Sequence, residues 1–192
     1  MAQQHKDHII LWSGGINSSA MALRLAEMLP VGTNLYLLHV CDHNNPAERF
    51  QKSSLESFLM DLIGDRRNGC VFLDHEIEIS GYVLPDTDYL LFGYAMALER
   101  HHMLTPGFDP IVHWATSKED WRHIDQARMR KLKKYVTQTV PVELFGKNIA
   151  KREHVLTLGS MYQQAWTCPT PTANNKPCQK CAKCEIRKRS RP

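Results

Sequence analysis

Seven consecutive residues near the start of the chain, Ser13, Gly14, Gly15, Ile16, Asn17, Ser18 and Ser19, are of types that could hold an anion. Glycines let main-chain N–H groups approach a ligand closely, and a helix beginning behind them adds partial positive charge. A glycine pair flanked by hydroxyls therefore forms a nest for a phosphate-sized group. The plainer reading of the same residues is a tight strand-to-helix turn with Ser18 as its cap.

A second chemistry is written near the other end. Cys168, Cys178, Cys181 and Cys184 follow the pattern C-x9-C-x2-C-x2-C. A C-x2-C turn brings two thiolates to one ion, and four sulfurs complete a tetrahedral shell. Soft thiolates select zinc or an iron–sulfur cluster over hard cations. The triple spacing at 178, 181 and 184 also resembles ferredoxin-type runs, so an iron–sulfur cluster competes. Nothing else in the sequence points to electron transfer, and the favoured reading is a structural Zn2+. A closed four-sulfur site leaves no open position, so it would pin the tail at 167–192 back onto the preceding domain at 1–166. Metal binding of this kind contributes roughly 10 kcal/mol of folding energy. Four unrelated core cysteines would be the alternative, but the segment is polar and proline-rich. Cys41 and Cys70 stand singly and read as small core residues.

Both features need a scaffold. The chain has 192 residues, enough for one α/β domain with a real core. Apolar residues at 43% and charged ones at 23% are ordinary for a globular protein. No apolar run approaches a membrane span and no signal-peptide pattern opens the chain, so a cytoplasmic location is expected, with no membrane partner. In that setting a disulfide framework does not suit the cysteines. The net charge of +4 is mild but uneven, with basic residues crowded at 122–134 and 180–191. Such runs are usually solvated faces, and nucleic acid is an allowed partner rather than a required one.

Apolar runs at 9–12, 34–41, 70–73, 110–116 and 140–145 read as five buried strands. Helical patterns follow the glycine loop as far as Met28, then at 47–63, 88–101, 121–136 and 151–162. Alternation of this kind implies βαβ crossovers and an α/β fold, a five-stranded, doubly wound parallel sheet covered on both faces. Ligands of such sheets bind outside the C-terminal strand ends. The 13–19 loop, the 42–46 loop and a polar loop at 117–120 would meet on that rim. His43, His113 and His123 lie near it, and each reads as a polar loop or strand residue rather than a general base.

With the loop and the cysteine cluster in place, the chain resembles the PP-loop (N-type) ATP pyrophosphatases, whose fold is adenine nucleotide alpha hydrolase-like. Within them it is most similar to the 7-cyano-7-deazaguanine synthase (QueC-like) group. That group opens with a strand, an SGGxDS loop and a helix, matched by Trp12 through Ser19. It closes with a Thr-Cys pair and a CxxCxxC run followed by x-x-Arg, matched by Thr167, Cys168, Cys178, Cys181, Cys184 and Arg187. A lysine–glutamate element before the last core helix is matched by Lys151 and Glu153.

The resemblance implies a ligase that uses ATP and Mg2+ to join 7-carboxy-7-deazaguanine and ammonia. AMP is transferred to the carboxylate with loss of pyrophosphate, ammonia displaces AMP to give the amide, and a second adenylation with loss of water gives the nitrile. It implies ATP contacts from Trp12, Ser13, Gly14, Gly15, Ile16, Asn17, Ser18 and Ser19. Lys151 would face charge developing at the α-phosphate, and an exposed helix-start lysine is the bland reading of the same residue. Asp125 and Arg128 fall near the acidic and basic positions of the substrate loop. A homodimer is common in that group. Three departures stand out: the loop aspartate is Asn17, the Pro-Gly-Arg-Asn stretch is reduced to Pro85, Asp86, Thr87 and Asp88 after Leu84, and the substrate loop has no clear copy. They motivate two other readings: a paralogue adenylating a different acid or modifying a macromolecule, and a non-catalytic nucleotide- or nucleic-acid-binding module. A tRNA thiolase of the same superfamily fits less well, because it needs a reactive cysteine pair and the cysteines here are taken up by metal.

Overall fold

In the computed structural model, the residues described are 7–30, 33–38, 59, 111–121, 142–165, 168, 172–174 and 176–189. They contain one sheet of four parallel strands, β1 (His8–Leu11), β2 (Leu35–Leu38), β3 (Ile111–Ala115) and β4 (Val142–Phe145). The order across the sheet is β2-β1-β3-β4. Ile9 pairs with Tyr36 on one side and Val112 on the other, and Val112 pairs in turn with Val142. The uninterrupted apolar run from Ile9 to Trp12 is buried throughout, as a parallel strand covered on both faces requires.

The parallel α/β class expected from the sequence is present, and four of the five expected strands lie where the apolar runs placed them. The fifth, at 70–73, falls outside the described residues, as do the helices expected at 88–101 and nearly all of those at 47–63 and 121–136.

Helix α1 (Ile16–Met28) and helix α3 (Lys151–Leu158) pack side by side on one face of the sheet. Ile10 of β1, Trp12 just beyond it, and Leu35 and Leu37 of β2 share a core cluster with Met21, Leu25, Val155 and Leu158. Ala20, Ala22 and Ala26 keep α1 thin enough to sit close to its neighbours. Full burial of one such aliphatic side chain stabilises by about 1.5–3 kcal/mol. Arg24 ties the two helices at their polar edge, donating from both Nε and Nη2 to Thr157 Oγ1. Pro30 lies just beyond the C-cap Leu29 and cannot extend α1.

Two local expectations are corrected. Residues 117–120, read as a loop, mostly form a short helix, α2 (Lys118–Trp121), because Ser117 Oγ accepts the Asp120 N–H at 3.2 Å and caps it. The single helix expected at 151–162 ends at Leu158. Gly159 takes φ +55, and the chain tightens into a 3₁₀ turn, Gly159–Gln163. A further helix, α4 (Ala182–Arg189), lies in the tail.

The strand order fixes where a ligand can enter. After β1 the chain moves to one side, to β2, and later returns on the other side as β3. The crevice of such a sheet lies at that reversal, beyond the C-terminal ends of β1 and β3. The 13–19 and 117–120 segments follow β1 and β3 at that edge, and the third expected rim loop, 42–46, falls outside the described residues.

Candidate functional site

Immediately beyond β1, Trp12 is fully buried and its Nε1–H donates to Ser19 Oγ at 2.9 Å. This bond closes the strand end onto the first turn of α1. Gly14 turns the loop at φ +69, a conformation that disfavours any side chain. Gly15 is the helix N-cap, α1 has no side-chain cap, and its first turn holds no acidic residue. The plainer reading, with Ser18 as the cap, is therefore set aside. Ser18 lies inside the helix, where its Oγ accepts from the Ser13 N–H at 3.3 Å and lies 3.3 Å from Ser13 Oγ. The N–H groups of the first turn have no intrahelical acceptor, the Gly15 N–H donates to Ser13 Oγ at 3.4 Å, and the positive end of the helix dipole lies at this turn. Trp12, Ile16 and Ser19 are buried in or against the core, so their backbones, not their side chains, are what they can offer a ligand.

Across the crevice, three chain segments lock together. The Lys118 N–H donates to the Ile149 carbonyl at 2.8 Å, and the Ile149 N–H donates to the Gly146 carbonyl at 2.8 Å. The Lys151 N–H, first in α3, donates to Glu119 Oε2 at 2.8 Å. Glu119 thereby caps α3 from another element and offsets the poor placement of a lysine at a helix N-terminus. Beneath this junction His154 is buried with Nε2 at 3.1 Å from the Thr116 carbonyl oxygen. A carbonyl only accepts, so Nε2 carries the proton.

The outcome is a charged cluster on the rim. Lys151 Nζ pairs with Asp120 Oδ2 at 2.8 Å, and its side chain is only 6% exposed. The bland reading of Lys151 as an exposed helix-start lysine is thus overturned. Asp120 Oδ2 also accepts from Asn17 Nδ2 at 2.6 Å and from Ser117 Oγ at 2.8 Å. Burial pushes the Asp120 carboxyl pKa up, but the Lys151 charge and the bonds from Lys151, Asn17 and Ser117 outweigh it and hold the group below its ordinary range. The other amide atom of Asn17, Oδ1, is a buried acceptor with no hydrogen-bond partner. The cluster can therefore present one fixed cation and oriented donors to an anion on the 13–19 loop.

His154 stays neutral: burial lowers its pKa to about 4, with help from the charges of Arg24 and Lys151 and against the bond to Thr116. His113 is a buried residue of β3 and lies within the sheet rather than on the rim. Its Nε2 is 2.7 Å from His8 Nδ1, and burial, with the charge of His8, lowers its pKa to about 4. Asp125, Arg128, His43 and His123 fall outside the described residues. Asp120, Ser117, Glu119 and His154 were not singled out by the sequence. The one signal pointing to the first three was their place in a polar loop on the rim.

The four tail cysteines gather as expected, with their sulfurs all within 4.8 Å of one another. Cys178 N–H points at Cys168 Sγ (3.3 Å), Cys181 N–H at Cys178 Sγ (3.4 Å), and Cys184 N–H at Cys181 Sγ (3.4 Å). Such donors favour thiolates, the form that binds metal. Gln179 adopts φ +60 between the first CxxC pair, and Lys188 Nζ holds its carbonyl at 2.8 Å. Between Cys168 and Cys178 the chain doubles back through Thr172 N–H to the Lys176 carbonyl at 2.8 Å, which is how a nine-residue gap closes on one point. Burial pushes the Cys184 thiol up to about 12 and raises Cys181 as well. A coordinated ion reverses this, because a ligating thiol is deprotonated outright. Arg187 fastens the cluster to the domain by donating to the Ala165, Tyr162 and Gln163 carbonyls at 2.9, 3.1 and 2.7 Å.

Among the described residues no helix is long and apolar enough to cross a membrane. No family model matches the sequence, and no curated protein matches it. Solved structures do share the fold. The chain is similar to the U34-tRNA thiolase NcsA from Methanococcus maripaludis with its [4Fe-4S] cluster, at TM-score 0.56 and 13% identity. That match covers 90% of this chain, which spans 63% of the thiolase's length. It is also similar to NMN synthetase from Francisella tularensis, at TM-score 0.52 and 14% identity, over 92% of this chain and 71% of that one.

Proposed function

We propose that the protein is an ATP-dependent adenylating enzyme of the PP-loop type. The observation that carries this reading is the convergence of Lys151, Asp120 and Asn17 on the uncapped loop at the reversal of the sheet. The β- and γ-phosphates would lie on the N–H groups of the 13–19 loop, with Ser13 and Ser18 hydroxyls beside them. Lys151, already desolvated and paired with the Asp120 carboxylate that also holds Asn17, would counter charge growing at the α-phosphate. Mg2+ would suit the rim through the Asp120 carboxylate, a hard oxygen donor. The shared fold with the thiolase and the synthetase supports the reading at the level of architecture.

For the reaction itself, we infer an ATP-dependent carbon–nitrogen ligase that turns 7-carboxy-7-deazaguanine and ammonia into 7-cyano-7-deazaguanine, with AMP and pyrophosphate released. The supports are the loop and the four-cysteine tail in one chain, in that order, with Arg187 behind them. A homodimer is the assembly that goes with it. The carboxylate oxygen attacks the α-phosphorus and pyrophosphate leaves. Ammonia then attacks the acyl carbon and AMP leaves, giving the amide. A second ATP adenylates the amide oxygen with loss of pyrophosphate, and elimination of AMP, the net loss of water from the amide, gives the nitrile.

The tail would hold a structural Zn2+. Sulfurs 2.3 Å from one zinc stand about 3.8 Å apart in a tetrahedron, and Cys181 Sγ is 4.0 Å from Cys168 Sγ. An iron–sulfur cube attaches each thiolate to a different iron and spreads them further, so the spacing favours a single ion.

Pyrophosphate release from ATP by pure, zinc-loaded protein tests the ligase. It should require the deazaguanine acid, and its continued turnover should require ammonia. Release with another carboxylic acid in a trapped-adenylate panel moves the substrate and keeps the chemistry, an outcome motivated by the altered stretch at 84–88. Salt-sensitive nucleic-acid binding with no turnover of ATP by any acid replaces it with a binding module.

A further inference from the structure

One oxygen of Asp120 receives three donors: Asn17 Nδ2 at 2.6 Å, Ser117 Oγ at 2.8 Å and Lys151 Nζ at 2.8 Å. With a cation among them, that oxygen belongs to an ionised carboxylate. Asn17 stands on the 13–19 loop, in the first turn of α1, whereas Asp120 arrives from beyond β3 on the far side of the crevice. The contact needs an amide at position 17. Its Nδ2 has a hydrogen to give, and giving it turns Oδ1 away, where it is buried without a hydrogen-bond partner. An aspartate at 17 has no such hydrogen and would set two carboxylates at hydrogen-bonding distance.

We infer that the acidic group of the 13–19 loop is supplied across the crevice by Asp120, and that Asn17 and Asp120 are exchangeable as a pair but not one at a time. The inference rests on the nucleotide reading of that loop. On this view Asn17 is not the mark of a decayed site. The site keeps one carboxylate and one ammonium in contact, with the carboxylate carried by the opposite wall. Asp120 is a positioning residue: through Asn17 it fixes the loop, and through Lys151 it holds the cation over the loop. Exchange of the pair preserves the net charge and the hydrogen bond between the two positions, and the carboxylate, now at 17, stays beside Lys151, because Asn17 Nδ2 and Lys151 Nζ meet at one Asp120 oxygen. A carboxylate at position 17 would accept from an amide at position 120, and an acid in the first turn of α1 suits the helix dipole. A single Asn17→Asp change adds a second negative charge, and one of the two carboxyls must then take up a proton.

Four chains test this: native, Asn17→Asp, Asp120→Asn, and the two changes together. Each is melted without ligand at neutral and at mildly acidic pH, and each is titrated with magnesium ATP by calorimetry. In the absence of ligand, Asn17→Asp should melt about 5 °C below native at neutral pH. It should regain most of that in mild acid, because a carboxyl whose folded pKa is raised destabilises above its ordinary value and recovers as it protonates. Each single change should weaken magnesium ATP about tenfold or more, and the exchanged pair should return to within about threefold of native. Rescue of binding by the exchange is something a merely structural contact at one residue would not produce. The inference is overturned if Asn17→Asp binds magnesium ATP more tightly than native, or if the exchanged pair is no better than the worse single change. If the native chain binds no ATP while the melting temperatures still show the rescue, the nucleotide reading falls and the pairing stands.

Discussion

The imidazole of His154 is hydrogen-bonded to the carbonyl of Thr116, so helix α3 is fastened to the last residue before the Ser117 cap. Gly146 completes the joint. A Cβ added to it would lie 2.5 Å from the Thr116 carbonyl oxygen and 3.2 Å from His154 Nε2, and its φ is +84. Alanine at this position therefore has neither the space nor the backbone conformation it needs. Gly146→Ala should lower the free energy of unfolding by about 2–4 kcal/mol, read from the midpoint of urea unfolding. A midpoint unchanged from native would show that the joint yields freely.

Acid should loosen the same joint. His154 and His113 have folded pKa values near 4 against an ordinary 6.5. A histidine held neutral by the fold takes up its proton more readily when unfolded. Its stabilising share is full above pH 6.5 and is lost as pH falls from there toward 4, by up to about 3 kcal/mol for each residue. The depressed Asp120 carboxyl acts in the same direction at the lower end, since its share is lost as pH falls from its ordinary 3.8. Urea midpoints should therefore fall steeply across that window. His154→Gln, which keeps an N–H for the Thr116 carbonyl, should flatten part of the slope; an unaltered slope would place the titration elsewhere.

Removing Lys151 should separate stability from chemistry. Lys151→Met leaves the Asp120 carboxylate without its cation and should cost about 3 kcal/mol of stability. It should also cut adenylation at saturating ATP by about a hundredfold or more. Adding Asp120→Asn removes the stranded charge, so the double variant should melt close to native while remaining inactive. Recovery of activity together with stability would take Lys151 out of the chemistry.

The tail should carry one zinc per chain and no visible charge-transfer bands of an iron–sulfur cluster. Cys184→Ser should lose the metal and lower the melting temperature sharply, since structural zinc contributes roughly 10 kcal/mol in small sites. Elemental analysis reads the first outcome and calorimetry the second. A protein that holds iron with acid-labile sulfide would replace the zinc assignment.

Arg187→Ala tests the fastening of the tail rather than its metal. Loss of a guanidinium from three carbonyls should cost about 2 kcal/mol. Amide exchange should rise along α4 while zinc content stays at one. A simultaneous loss of metal would mean that Arg187 and the cluster form one unit.

The sequence exposed the two features whose residues are neighbours in the chain. Gly14 and Gly15 between hydroxyls, and Cys178, Cys181 and Cys184 at threes, are local patterns and need no folding to be seen. Asp120 was hidden for the opposite reason. Its partners lie 103 residues before it and 31 after, and only the placing of β3 beside β1 brings them together. Lys151 was visible through the resemblance, but its burial was not, because a lysine beginning a polar helix has the same pattern whether or not a carboxylate waits across a crevice. In the tail, Cys184 and Arg187 stand three apart on one side of α4. That spacing could have disclosed the helix, and the surrounding run of basic residues masked it.

The separation of Asn17 from Asp120 also has a consequence in time. A nascent chain presents the 13–19 loop early, whereas the opposite wall of the crevice is translated more than a hundred residues later. At ribosomal speeds of about 5–20 residues per second the interval is roughly ten seconds. Closing so long a segment is entropically slow, so pairing of β1 with β3 belongs to the late, non-local steps of folding. The loop therefore emerges as a bare glycine turn and gains its carboxylate and its lysine together, when the two halves of the sheet meet.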